Sequence, residues 1–426
     1  MRRERLAILV ASAITFAATP SCTQRELEPE GHVVVQLDTD APLPSLATGS
    51  LAPIFDAVQL DVLRPDGTPA CATCSREIAI SREDIALGAT ITIVANDAAL
   101  LRVRLFDSAL GAVALEPGLV LETVIRLPPR PLEGEWRVPV TLLTDSLGVP
   151  QGTIAAPLEP PPRDAVRVRL DALAPEPPPS PTSVDEVCVP GGWFWRGDPR
   201  LPPEGELSAN IPRLVHVSAF CVDAHEATVR EVRARSINSD DLARWSGTDS
   251  ASDPLAFCPY TAQAGSNEDR AVACIAWSAA RAVCQARSAD LPTEAQYEWL
   301  AKGLGRTSFV WGRDLPACGE AVFAQTAGAI PGDSTCASKP ARAILPRTAT
   351  ELELTRDVLR IGERSIVGLA GNLSEWTREA FAPSDDPCAG PLVGVLRDPE
   401  CIAQGVPARV VVRGGSFTSV SYTHLS

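Results

Sequence analysis

From residue 33 to residue 170 the chain alternates apolar and polar side chains in short runs. Val33–Asp38, Val58–Leu63, Ile91–Val94, Leu101–Phe106, Leu121–Leu127, Trp136–Leu143 and Val166–Leu170 carry this period of two. Such a period sets one face of a strand on a core and the other in water. Turn formers such as Pro65-Asp66-Gly67 separate the runs. Strands so short and so spaced predict an all-β unit over residues 31–172, a sandwich of the immunoglobulin-like kind. No cluster of reactive side chains accompanies them, so the unit reads as a spacer or binding module.

Ala172–Ser183 breaks the pattern with a run of prolines. Proline favours the extended polyproline conformation, which predicts a semi-rigid linker over 173–184. Beyond it Trp and Cys become frequent, and a second domain is expected over 185–426.

The start of the chain reads as an export signal. Arg2, Arg3 and Arg5 precede an apolar run from Leu6 to Ala18, followed by Thr19-Pro20-Ser21-Cys22. The run is too short to cross a bilayer comfortably and ends in small residues, which predicts a signal peptide over 1–21. Cys22 stands where bacterial lipoproteins are acylated, so a lipid anchor is expected there, with a tether over 22–30. Thr19 departs from that pattern, in which leucine is usual. Thr23 rather than Asp after the cysteine points to the outer membrane. A net charge of −15 excludes nucleic acid as a partner, because phosphate contacts need Lys and Arg. Membrane contact is expected through the anchor alone.

Twelve cysteines in an exported chain predict disulfides. Cys71 and Cys74 cannot complete a tetrahedral zinc site by themselves, so a local disulfide is expected. A redox Cys-x-x-Cys would lack the βαβ surroundings that such motifs use. In the second domain, proximity along the chain favours Cys318–Cys336 and Cys388–Cys401, then Cys258–Cys274 and Cys188–Cys221.

Four strings in the second domain are more specific. They are Leu291-Pro-Thr-Glu-Ala-Gln-Tyr-Glu-Trp299, Val310-Trp-Gly312, Gly371-Asn-Leu-Ser-Glu-Trp376 and Val412-Arg-Gly-Gly-Ser-Phe417. In that order they resemble the sulfatase-modifying-factor family, whose founding enzyme oxidises a sulfatase cysteine to formylglycine. Val189–Trp195 and Pro212–Thr228 resemble the family's first two strands, so the resemblance covers about residues 185–420. It implies a C-type-lectin-like domain and makes the whole chain α+β. Thr293 and Gln296 form the spacing of a helix capping box, and Ala276–Cys284 is a second segment of good helix propensity. Asp290 stands where the family has Arg, so that ion pair is lost or rearranged.

The resemblance also implies sites. The family's Gly-Asn-x-x-Glu-Trp loop holds calcium through hard oxygen ligands, which here would be the carbonyls of Gly371 and Leu373 and the carboxylate of Glu375. Gly368 replaces a side-chain ligand and Val322 replaces the asparagine of a second site. The expectation is one weakened calcium site, with Glu375 as a turn cap the plainer alternative. Formylglycine formation relies on two cysteines that bind copper(I), a soft ion; the matching positions are Ser419 and His424. Copper is therefore not expected, and no catalytic residue is assigned. Another branch oxidises sulfur with iron held by three histidines. His32, His216, His225 and His424 are the histidines of this chain, they form no such set, and His216 reads as structural. Residues Ser421–Ser426 depart from the family ending and read as a C-terminal truncation or an appended scar. In the family the cysteine at position 284 pairs with one near the C terminus, which implies an unpaired Cys284. Trp376 and Ser416 remain to line a substrate groove.

These readings converge on an exported, lipid-anchored envelope protein. Its second domain would be a non-catalytic recognition module for a peptide, protein or glycan. The alternative is an oxidoreductase that converts a protein cysteine to formylglycine. Ser419 separates them, because a hydroxyl is a poor ligand for copper(I).

Overall fold

A computed structural model describes residues 32–46, 52–88, 90–93, 100–129, 131, 134–197, 212–235, 257–312, 320–323, 345–382, 390, 393–402 and 409–417. The N-terminal unit contains β1 (His32–Thr39), β2 (Ala57–Leu63), β3 (Ser75–Ala79), α1 (Arg82–Leu87), β4 (Thr90–Ile93), β5 (Leu100–Phe106), β6 (Leu121–Arg126) and β7 (Glu135–Leu142). One sheet has the order β3-β2-β5-β6 and is antiparallel throughout. In the other, β1 lies between β4, to which it is antiparallel, and β7, to which it is parallel. Val35, Leu37, Leu60, Val103, Leu105 and Val140 from the two sheets join one hydrophobic cluster. The alternating runs became strands because every second side chain reaches that cluster.

Two elements lack this signature. Strand β3 is exposed along its whole length, and its charged Arg76 and Glu77 guard an open sheet edge against pairing with another chain. Helix α1 is only a turn and a half long. It begins at a capping box between Ser81 and Asp84 and ends at Gly88, whose φ of 76° is left-handed.

Val166–Leu170 is not a strand, which corrects the expectation from its alternation. Val166 and Val168 are 83% and 68% exposed; the side chain that turns inward is Arg167. Its Nε donates to Asp38 Oδ2 at 2.7 Å and its Nη2 to the Ile85 carbonyl at 2.6 Å. Asp38 is only 1% exposed, and a buried carboxylate demands a partner. The need to meet that charge decides which face of the segment is inside.

The proline-rich segment is docked as well as extended. Leu173 packs on the N-terminal cluster and donates its N–H to the Asp40 carbonyl at 3.0 Å. Gly191 N–H donates to the Glu176 carbonyl at 3.0 Å, and Ala219 N–H to the Glu176 carboxylate at 3.0 Å. The segment therefore stitches the units together instead of spacing them apart.

The second unit contains β8 (Glu186–Val189), β9 (Gly192–Arg196), β10 (Arg213–Val217), β11 (Phe220–Asp223), α2 (Val229–Ala234), α3 (Trp277–Gln285), α4 (Glu294–Ala301), α5 (Ala349–Leu352), β12 (Val358–Ile361), β13 (Arg364–Val367), β14 (Glu375–Ala380), β15 (Leu396–Arg397) and β16 (Val410–Arg413). Its sheets are small: β15-β10-β9, β11-β8, β12-β13 and β14-β16. The chain is thus mostly β with a few short helices, and no described helix is long and apolar enough to cross a membrane. Trp193 on β9 and Leu214 on β10 belong to the N-terminal cluster. Trp195 meets Phe55 edge-on, with ring centroids 6.0 Å apart, and its indole N–H donates to the Ile54 carbonyl. The second unit thus reaches into the N-terminal core through β9 and β10, while keeping clusters of its own.

Disulfides join Cys71 to Cys74, Cys188 to Cys221 and Cys258 to Cys274. The second links residues directly opposite each other on β8 and β11. Cys401 is also disulfide-bonded. Cys22, Cys318, Cys336 and Cys388 lie outside the described residues, as do the expected signal peptide and tether.

Replacing Arg167 by Ala should cost about 3 kcal/mol, because it leaves Asp38 buried without its cation. Val168→Ala should change stability by less than about 0.5 kcal/mol. Urea unfolding followed by tryptophan fluorescence measures both.

Candidate functional site

Helix α4 organises the second unit. Thr293 Oγ1 accepts the Gln296 N–H at 3.0 Å and Gln296 Oε1 accepts the Thr293 N–H at 2.9 Å, which closes the expected capping box. Glu294 pairs with Arg413 at the end of β16 and with Arg196 Nη2 at 2.6 Å. The Tyr297 hydroxyl donates to the Leu369 carbonyl. It also lies against Gly414 (φ 80°), where a Cβ would fall 2.5 Å from the phenol oxygen. Glu298 binds Lys302 at 2.7 Å and the Gly197 N–H at 2.8 Å, while the Trp299 indole donates to the Pro190 carbonyl at 3.1 Å. The Leu-Pro-Thr-Glu and Arg-Gly-Gly-Ser strings therefore meet as one charge pair and one close contact. Arg413 is 2% exposed; burial, with Arg196 nearby, lowers it to about 9.

The loop that leads into β14 is held by carboxylates. Asn372 has a left-handed φ of 66° and donates its backbone N–H to the Val322 carbonyl at 2.7 Å. Its side-chain oxygen accepts the Arg347 N–H at 2.8 Å. Gly371 is required because a Cβ there would lie 2.7 Å from the Val322 oxygen. Asp357, fully buried, accepts the N–H groups of Ala370 and Gly371, and burial lifts its carboxyl to about 6. Glu226 accepts Asn372 Nδ2–H at 2.6 Å and the Leu373 N–H at 3.0 Å. Nothing in the sequence marked Glu226 for this role.

This arrangement bears on calcium. A cation needs oxygens turned toward it. Here Asn372 and Leu373 turn N–H donors toward Glu226, and the Gly371 carbonyl accepts the Leu373 N–H at 2.9 Å. A side chain at Gly368 would begin 3.2 Å from the Glu226 carboxyl, so Glu226 fills the space of the lost ligand. Among the described residues no three His, Cys, Asp or Glu side chains converge as a metal site. With the Gly371 carbonyl taken by an N–H and Glu226 in the space of the lost side chain, the donors fit calcium poorly. Nor is Glu375 a turn cap: its carboxylate takes no N–H among the described residues, and its pairing with Arg413 across β14 and β16 is through strand register.

A cavity of about 720 Å³ opens beside this loop, between α3, α4, β11 and β14. Cys284, Asp223, Tyr297, Glu226, Glu375 and Trp376 lie on its wall. Cys284 is a free thiol; burial pushes it up to about 11, with Asp223 and Asp290 adding to the effect. Burial and Asp223 raise Glu375 to about 7. The Trp376 indole is fixed by donating to the Ile275 carbonyl at 3.0 Å. Ser416 is not part of this wall, so the two expected groove residues do not meet there. Ser419 and His424 lie outside the described residues. Asp290 pairs with Arg281 at 2.8 Å, so the acid at this position has a cation of its own. His216 packs at a tilt of 58° against Trp193 with centroids 4.7 Å apart, and burial lowers its pKa, as fits a structural imidazole.

The family pattern described as "Sulfatase-modifying factor enzyme 1-like domain" matches residues 172–425, and the chain belongs to this family. Two solved structures are similar to it. PvdO from Pseudomonas aeruginosa matches at 16% identity over 58% of this chain and 88% of its own, with a TM-score of 0.34. Treponema denticola variable protein 1 matches at 16% identity over 57% of this chain and 87% of its own, with a TM-score of 0.32. No curated protein matches the chain in sequence.

Glu294→Gln should destabilise the fold by about 3–5 kcal/mol, since it strands Arg413 in the core, and Glu294→Met with Arg413→Met should recover part of that loss. Chemical denaturation of the single and double variants gives the comparison. Glu379, 3% exposed, is raised by burial from 4.5 to about 7. It keeps its proton longer when folded than when unfolded, so stability falls as pH rises from 4.5 to about 7 and the loss is complete above that. Glu379→Gln should remove on the order of 2–3 kcal/mol of this decline, seen as a flatter thermal midpoint between pH 5 and pH 8.

Proposed function

We propose that the second domain is a recognition module that binds its ligand in the cavity beside Trp376 and does not turn it over. The observation that carries this reading is the state of Cys284. It is the free thiol on the cavity wall, and at about 11 it stays protonated at neutral pH. A protonated thiol is a poor nucleophile, and copper(I) would have to displace its proton to bind. Cys284 is thus a poor replacement for the sulfur ligand that the family resemblance places at position 419.

Around that module we place an exported protein, acylated at Cys22 and carried on the outer membrane. The N-terminal unit serves as a β-sandwich support and the second domain has a C-type-lectin-like form. The contacts between the two units support a rigid mount, because a ligand bound in the second domain is then held in a fixed relation to the first unit. A peptide, protein or glycan of the envelope is the ligand class in view.

Formylglycine formation is the competing reading, and one experiment decides between them. Purified protein is incubated with copper and a peptide carrying the Cys-x-Pro-x-Arg motif, and the product is searched for an aldehyde. The expected result is peptide recovered unchanged, with Cys284→Ser behaving the same. Aldehyde that disappears in Cys284→Ser would overturn the recognition reading.

A further inference from the structure

Each carboxylate on the cavity wall but one has a partner among the described residues. Asp223 binds Arg287 at 2.7 Å, Asp290 binds Arg281, and Glu186 accepts from Thr182. Glu226 holds the Asn372 amide and the Leu373 N–H. Among the described residues Glu375 has neither a donor nor a cation, and its neighbours Asp223 and Glu226 are themselves acidic. Its half-buried carboxylate is open to the cavity, and no described element of the fold uses it. The disagreement with calcium described above removes the metal that would otherwise account for it.

We propose that the cavity binds an organic cation, the basic side chain of a peptide segment, with its ammonium or guanidinium seated on Glu375. Three observations support this class. The wall carries Glu186, Asp223, Glu226, Asp290 and Glu375 against Arg287 and Arg378. Counted as formal charges, five negative against two positive, these leave −3; burial raises Glu226 and Glu375 toward their neutral forms, and the acidic excess that remains still favours cations over acidic or phosphorylated ligands. A volume of about 720 Å³ far exceeds what a bare ion needs and lies in the range of roughly 300–1,000 Å³ typical of sites for organic ligands. Finally, Val272, Ile275, Val283 and Leu300 line the same space. These suit the aliphatic stem of Lys or Arg, while Trp376 offers an aromatic wall to the charged end.

The proposal rests on the recognition reading but fails separately from it. The probes are the methylamides of N-acetyl-arginine, N-acetyl-lysine and the uncharged N-acetyl-glutamine, titrated calorimetrically into the full chain. Both basic probes are expected to bind at least tenfold more tightly than the glutamine probe, and the ratio between them assigns guanidinium or ammonium. Glu375→Gln should abolish the preference and Glu375→Asp, which keeps the charge, should retain most of it; the thermal midpoint of each variant shows that it is folded. Equal binding of all three probes, or displacement of the basic probes by micromolar calcium, would leave recognition standing and overturn the cation. Binding of none of them at millimolar concentration would overturn both.

Discussion

The contact between Glu294 and Arg413 fixes how the second domain is assembled. Glu294 opens α4 and Arg413 closes β16, and they are far apart in sequence, so pairing them sets where helix and sheet cross. Arg196 from β9 joins on the other carboxylate oxygen, and Glu379 from β14 receives the Glu294 N–H at 2.9 Å. Four elements thus converge on one buried site. Such a pair is a poor source of net stability, because desolvating both ions offsets most of their attraction. Its effect is selective: any other packing of α4 on the sheet leaves a charge in the core unmet. Gly414 completes the arrangement by admitting the Tyr297 hydroxyl where a side chain would stand.

The same site governs how the two units meet. Arg196 is anchored by Glu294, and it ends the strand whose Trp193 and Trp195 enter or touch the N-terminal core. Arg397 then covers Trp193 with its guanidinium and reaches Asp145 in the first unit at 3.1 Å. The domain that carries the cavity and the unit that precedes it are therefore locked chiefly through β9, with the docked linker, Leu214 and Arg397 adding contacts. Relative motion between them would have to expose tryptophan surface, which opposes it.

Much of this was legible because periodicity and motif spacing report on backbone. The alternating runs gave the strands of the first unit, and Thr293 with Gln296 gave the start of α4. What escaped depended on long-range charge. Arg167 inverted its segment because Asp38, well over a hundred residues away, is buried. Strand β3 escaped because an edge strand with no buried face has no period to show. Glu226 lay inside a string that resembles the family yet gave no hint of its partners, since Asn372 and Leu373 meet it only in three dimensions. Glu375 was legible as a family carboxylate but not as an unpartnered one.

The missing side chain at Gly368 and the position of Glu226 act together. Without a side chain at Gly368, the Glu226 carboxyl can move to within 3.2 Å of where that side chain would begin. There its two oxygens collect an amide from Asn372 and the N–H of Leu373. The loop is organised here by the Glu226 carboxyl, which collects N–H groups, whereas a calcium ion would draw in carbonyl oxygens. The left-handed Asn372 and the Gly371 contact on Val322 set the loop's course. Glu375 takes no part in these loop contacts among the described residues, and its carboxylate lies on the cavity wall instead.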